Sequence, residues 1–153
     1  VDGSALASSV FTLAGIVIGV LLTHFLSVSA ARRSERFRAR DEQREVLSAL
    51  ISALIEFDTA QINRARHREG PETESRQAAR LDSYRLKALA SQQLARVQLI
   101  VGEPALIRAA ESALDATEQI NDSRGYQDAL ARREEAKAAL QRLIQVAREV
   151  TGT

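Results

Sequence analysis

Two histidines, His24 and His67, and a thin scatter of carboxylates are the side chains best suited to metal or acid–base chemistry. The chain has no cysteine, which excludes disulfides, thiolate ligands and thiol nucleophiles. A di-iron bundle takes Glu-x-x-His pairs from two of its helices, and no such pair occurs. No nucleophile elbow, phosphate loop, dinucleotide fingerprint or zinc spacing appears either. His67 stands between Arg66 and Arg68 and reads as a solvated surface histidine. Glu56 and Asp58 lie beside an apolar stripe, where each suits a rim ion pair with an arginine of another helix, such as Arg85 or Arg132. Glu134 and Glu135 read as a charged outer face. The residues therefore predict no catalytic group, no metal site, no cofactor and no enzymatic activity.

Association is the chemistry that the opening run suits. VDGSALASSVFTLAGIVIGVLLTHFLSVSA carries no formal charge from Gly3 to Ala31, although His24 can take one up. As a helix those residues span about 43 Å. Val10 to Val28 supplies 19 of the roughly 20 residues needed to cross a hydrocarbon layer. A secretion signal starts with a basic segment, whereas Asp2 is the charged side chain here. Arg32, Arg33, Arg36, Arg38 and Arg40 follow the run instead. The positive-inside rule then predicts an uncleaved, single-pass transmembrane helix in the cell membrane. Its N-terminus lies outside and the C-terminal domain in the cytoplasm. The five arginines are candidate contacts for anionic lipid headgroups. Gly15 and Gly19 are four apart, with Ser8, Thr12 and Thr23 near the same face. Small residues let helix backbones approach, so these five form a candidate helix-association face.

The elements after the span are helices. Leucine, alanine, arginine, glutamate and glutamine dominate, and the two prolines are Pro71 and Pro104. RRSERFRARDEQRE is polar except for Phe37 and reads as a helical stalk. Leu47, Leu50, Leu54, Phe57 and Ile62 then recur at helical spacing, widened by Ile51 and Ile55. This first helix is expected to end near His67, and HREGPETESRQ to form a loop. The second, capped by Thr73 or Ser75, presents Leu81, Tyr84, Leu86, Leu89, Leu94, Val97 and Ile100. Gly102 and Pro104 separate it from a third over 103–120, lined by Leu106, Ala110, Ala113, Leu114 and Thr117. NDSRG leads, with Asp122 or Ser123 as cap, to a fourth over 126–150. Its stripe is Leu130, Ala136, Leu140, Leu143, Ile144, Ala147 and Val150. The predicted fold is all-α: a transmembrane anchor (1–31), an arginine-rich stalk (32–46) and an antiparallel four-helix bundle (47–153).

Formal net charge is +1, from 21 basic and 20 acidic side chains, which gives no overall attraction to nucleic acid. The LAGIVIGVLLTHFL span, the AARRSERFRARDEQR stalk and the leucine-rich helical domain together resemble uncharacterised small single-pass membrane proteins of high-GC actinobacteria. Arginine outnumbers lysine 19 to 2, in keeping with such genomes. The resemblance implies location and architecture and no known activity. Two functions fit the residues: a non-enzymatic membrane-anchored protein that binds another membrane protein or itself as a homo-oligomer, or an accessory or regulatory subunit of a membrane enzyme or transport complex. A third is a cytoplasmic ligand sensor with a pocket between the helices.

Overall fold

The computed structural model describes residues 38–68 and 73–152. The chain divides into two compact units, Val1–Asp41 and Glu42–Thr153. Of the first, the described residues 38–41 are helical, with Arg38 and Arg40 exposed. The predicted span, with Gly15, Gly19, Ser8, Thr12 and Thr23, lies outside the described residues, as do Arg32, Arg33 and Arg36. Among the described residues no helix is long and apolar enough to cross a membrane.

Four helices and no strands make up the described structure: α1 (38–66), α2 (Glu74–Ile100), α3 (Pro104–Gln119) and α4 (Tyr126–Thr151), with a 3-10 turn at Ile120–Asp122. α1 holds no glycine or proline to interrupt it. Thr73 caps α2, its side chain accepting from the Arg76 N–H at 3.3 Å. The polar run before α2 predicts a longer loop than this, since the helix begins at Glu74. At the far end the Val101 N–H returns to the Val97 carbonyl, and Gly102 takes a left-handed φ of +66°. A side chain at Gly102 would be strained there. Pro104 opens α3, where a missing N–H leaves no helical bond unmade. The cap of α4 differs from the expected Asp122 or Ser123. Gly125 holds that position, and the Oδ2 of Asp128 reaches back to accept from the Arg124 N–H at 2.9 Å.

Side-chain bonds fix the topology. Along α1 and α4, Asp58 meets Arg133 while Arg66 meets Tyr126, so one number falls as the other rises. Likewise, along α2 and α3, Lys87 meets Glu118 while Gln98 meets Glu111. α1 therefore runs antiparallel to α4, and α2 to α3, as in a bundle of packed helices.

The core falls into two clusters. The larger joins Leu50, Leu54 and Phe57 of α1 to Leu86 and Val97 of α2, Leu106 of α3 and Leu143 of α4. The smaller holds Ile62, Ala65, Ile120, Ala129 and Ala136. The core begins one residue earlier than the leucine stripe implies, because Val46, assigned to the stalk on the polarity of its neighbours, is buried. α2 departs most from expectation. Its buried positions are Ala79, Ser83, Leu86, Ala90, Leu94 and Val97, each three or four residues from the next. Leu81 is 58 % exposed and Tyr84 is exposed as well. A stripe read from the large residues is thus rotated from the true one, because alanine and serine fill half of the inner face. Ile55 is also on the surface, at 48 % exposure. α4 buries Ala129, Ala136, Ala139, Leu143 and Ala147, while Val150 reaches the surface. Small side chains at such contacts allow short interaxial distances.

Candidate functional site

Asp58 sits on α1 one residue after Phe57, so it flanks the core face rather than entering it. Its Oδ2 accepts from the Nε of Arg133 at 2.9 Å, an ion pair between α1 and α4. The partner is Arg133, not Arg132 or Arg85. Arg132 pairs instead with Asp128 at 3.5 Å and donates to the Gln119 carbonyl, and Arg85 pairs with Asp82 at 3.1 Å. Adjacent helical positions differ by 100° in direction, so only the true rotation of α4 selects between 132 and 133. Glu56 is exposed, and Glu134 and Glu135 form the outer face expected of them, with Glu134 paired to Lys137 at 2.7 Å. His67 is part-exposed, its Nδ1 donating to the Asn63 carbonyl at 2.8 Å.

Beside the Asp58–Arg133 pair lies a cleft of 210 Å³ walled by Leu54, Ile55, Ala113, Ala136 and Leu140. The other carboxylate oxygen of Asp58, Oδ1, is buried with no partner among the described residues. Burial raises the Asp58 carboxyl above its ordinary range, and the bond and charge of Arg133 oppose that rise. The cleft is lined as well by Thr59, Thr117 and Lys137. Its volume lies below the roughly 300–1,000 Å³ of small-molecule pockets.

Three further polar side chains are buried between helices. Ser83 Oγ donates to Gln61 Oε1 at 3.0 Å, and Gln61 Nε2 donates to the Thr117 carbonyl at 3.5 Å. Thr117 Oγ1 donates to the Ala113 carbonyl at 2.8 Å. α1, α2 and α3 are thereby tied at one level.

At the end of the bundle that holds the α3–α4 connection, a pocket of 310 Å³ is lined by Arg64, Arg68, Arg76, Arg80 and Asn121. Arg68 anchors it, its guanidinium donating to the Ser123 carbonyl and to both the backbone carbonyl and the side-chain oxygen of Asn121. Sequence reasoning missed this site. The signal was present as two arginine pairs, Arg64/Arg68 and Arg76/Arg80, each four residues apart and flanking one loop. Like charges at that spacing weaken a helix and so call for a compensating role. Among the described residues no group of three or more histidine, cysteine or acidic side chains is placed to hold a metal.

No curated protein and no solved structure shows a significant similarity to this chain. The family model of the KilB plasmid transfer protein matches residues 44–151, most of the chain and nearly all of the bundle. The chain therefore belongs to the KilB plasmid transfer protein family.

Proposed function

We propose that the chain is a membrane-anchored, non-enzymatic helical protein that serves plasmid transfer through protein–protein association. The observation that carries this reading is the extent of the family match. It begins at residue 44 and covers the bundle, which supports a role carried by the helices. The bundle's surface supports association: Ile55, Leu81, Tyr84 and Leu99 are large, apolar and outward-facing, with Leu99 86 % exposed. A groove of 540 Å³ beside Ile55 is rimmed by Glu56, Arg66, Asp82, Arg85 and Arg133, an apolar centre with a charged edge. The partner is another membrane protein or a second copy. Its role as an accessory subunit of a transfer complex is the same chemistry at a larger scale.

Anchoring rests on the uncharged opening run and the arginines after it, in a small single-pass protein of an actinobacterial plasmid. Gly15 and Gly19 supply a second association seam within the bilayer, and the arginines meet anionic headgroups. A cysteine placed at Thr153 will resist a membrane-impermeant thiol reagent in intact cells. Labelling without permeabilisation overturns the topology.

The decisive experiment places a photocrosslinking residue at Ile55 or Leu99 in plasmid-bearing cells, alongside a transfer assay. Discrete adducts, and transfer reduced by Ile55→Asp with the fold intact, are expected. Full transfer by a chain lacking 44–151 overturns the reading. Gly15→Ile and Gly19→Ile test the seam: unchanged energy transfer between copies in bilayers removes it. A ligand sensor is the second reading, favoured by the cleft beside Asp58, and its small volume restricts it to compact ligands.

A further inference from the structure

The outward face of α2 is unlike that of a helix that meets only water. On the side opposite its buried line, Leu81, Arg85, Ala88, Gln92, Ala95 and Leu99 recur four and three residues apart, a spacing that keeps them in one row along about 27 Å of helix. All six are exposed. The outer row of a surface helix is ordinarily charged or polar, whereas four of these six are apolar, with a leucine at each end. Asp82 and Arg96 flank the row on one side, since two heptads separate them. Asp82 Oδ1 accepts from Arg85 at 3.1 Å, and its Oδ2 makes no bond among the described residues. Arg96 donates to Gln93 at 3.2 Å and forms no ion pair among the described residues.

We propose that this face pairs α2 with α2 of a second copy of the chain, antiparallel about a two-fold axis level with Ala90, midway between Leu81 and Leu99. The proposal rests on the association reading above and names its partner and its surface. In a two-fold contact each residue meets its counterpart twice, once from either copy. Leu81 falls opposite Leu99 of the second copy, Arg85 opposite its Ala95, and Ala88 opposite its Gln92. Leucine faces leucine at both ends, and each inner level sets a long side chain against a small one. Asp82 comes within about 3 Å, along the axis, of the level of Arg96 in the second copy. Its free oxygen is there to receive that guanidinium, and the symmetry forms the ion pair twice. A parallel pair sets Arg85 against Arg85 and leaves Asp82 about 21 Å along the axis from Arg96, so the charges select the antiparallel one. Two faces of about 27 by 10 Å bury well under the roughly 1,200 Å² of a stable free complex. The pair is therefore weak alone, and the anchoring proposed above supplies the proximity that it lacks.

The chain has no cysteine, so introduced ones report the contact without background. The test mixes full-length Leu81→Cys chains with Leu99→Cys chains in neutral detergent micelles and oxidises them with copper phenanthroline. A mixed disulfide dimer is expected. Neither variant alone forms one, because its two cysteines then lie about 27 Å apart along the axis. Asp82→Arg, added to the Leu81→Cys chain, cuts the mixed product about fivefold, the scale of one ion pair turned repulsive. Arg96→Asp, added to the Leu99→Cys chain, restores it, since the opposed charges are then exchanged. These side chains all reach the surface, so each variant keeps the helix content of the parent by circular dichroism. Absence of the mixed dimer overturns the proposal. So does a disulfide formed by Leu81→Cys chains alone, the mark of a parallel pair, or an Asp82→Arg loss that Arg96→Asp leaves unrepaired. Photocrosslinked adducts at Leu99 with a mass other than that of two copies assign the face to a different protein and likewise overturn it. If the bridge fails while Ile55 still gives adducts, α2 is struck as the contact surface and the association reading stands.

Discussion

The half of the bundle around Leu50, Leu54, Phe57 and Leu106 is held together differently from the half around Ile62, Ile120 and Ala129. Large side chains fill the first, and apolar area supplies its stability. The second is filled largely by alanines and has little area to bury. There the helices are tied by side chains that reach across to backbone carbonyls. Arg68 serves Asn121 and Ser123, Arg132 serves Gln119, and Gln61 serves Thr117. Those carbonyls sit in the last turn of α3 and just past it, where a helix has no intrahelical donor to offer. A thin core is thus compatible with a defined end, provided the orphan acceptors are met by neighbours.

The largest effect that sharpens this contrast is Leu54→Ala. Leu54 is 2 % exposed in the filled half, so urea denaturation will register a loss of about 2–5 kcal/mol. Leu140→Ala, at a partly buried position, will cost clearly less. Equal costs would break the picture of a core concentrated at Leu54. In the thin half the informative change is Arg68→Ala, which strands carbonyl acceptors and will cost about 1–3 kcal/mol. Hydrogen exchange should show faster opening of 117–129 and little change around Leu50. Uniform acceleration would mean that the two halves open as one. Thr73→Ala removes the α2 cap and will lower the melting temperature by an amount equivalent to about 1 kcal/mol.

The aspartates sharpen the comparison through pH. Asp58 is raised by burial, so the folded state holds its proton more tightly than the unfolded chain does. Its contribution is fully present below its ordinary value near 3.8 and is lost as pH rises through the higher folded value. Asp128 is lowered, first by the Arg124 N–H, so its contribution is present at neutral pH and is lost as acid protonates it. Asp58→Asn will remove the falling limb and Asp128→Asn the rising one, measured as stability against pH. Opposite assignments would refute the burial of Asp58. The smallest effect is at Leu99, where Leu99→Ser will shift stability by no more than about 0.5 kcal/mol.

Helix number, the breaks near Pro71, Gly102 and Asp122–Gly125, and the leucine face of α1 were legible because glycine, proline and large apolar residues mark them directly. The inner face of α2 was not, since Ala79, Ser83 and Ala90 carry no hydrophobic contrast with its outer face. Leu81 and Tyr84 then drew the stripe away from its true position. The Asp58 ion pair was legible in kind. Its partner depended on a helix rotation that only packing decides. The arginine pocket needed two helices to be brought together, and its four-residue pairs show only where to look.

Alanine-rich faces distinguish registers weakly: shifting α2 by one heptad, about 10.5 Å along the axis, puts Ala90 in the place of Ser83, one small residue for another. The Ser83–Gln61 bond is written once in that repetitive surface. A slip of α2 sets Ala90 or Arg76 opposite Gln61 in place of Ser83. The amide oxygen of Gln61 is then left without its donor, or a guanidinium is forced into the core. One buried amide thus acts as a checksum, letting the chain tell its own register from the nearest plausible error.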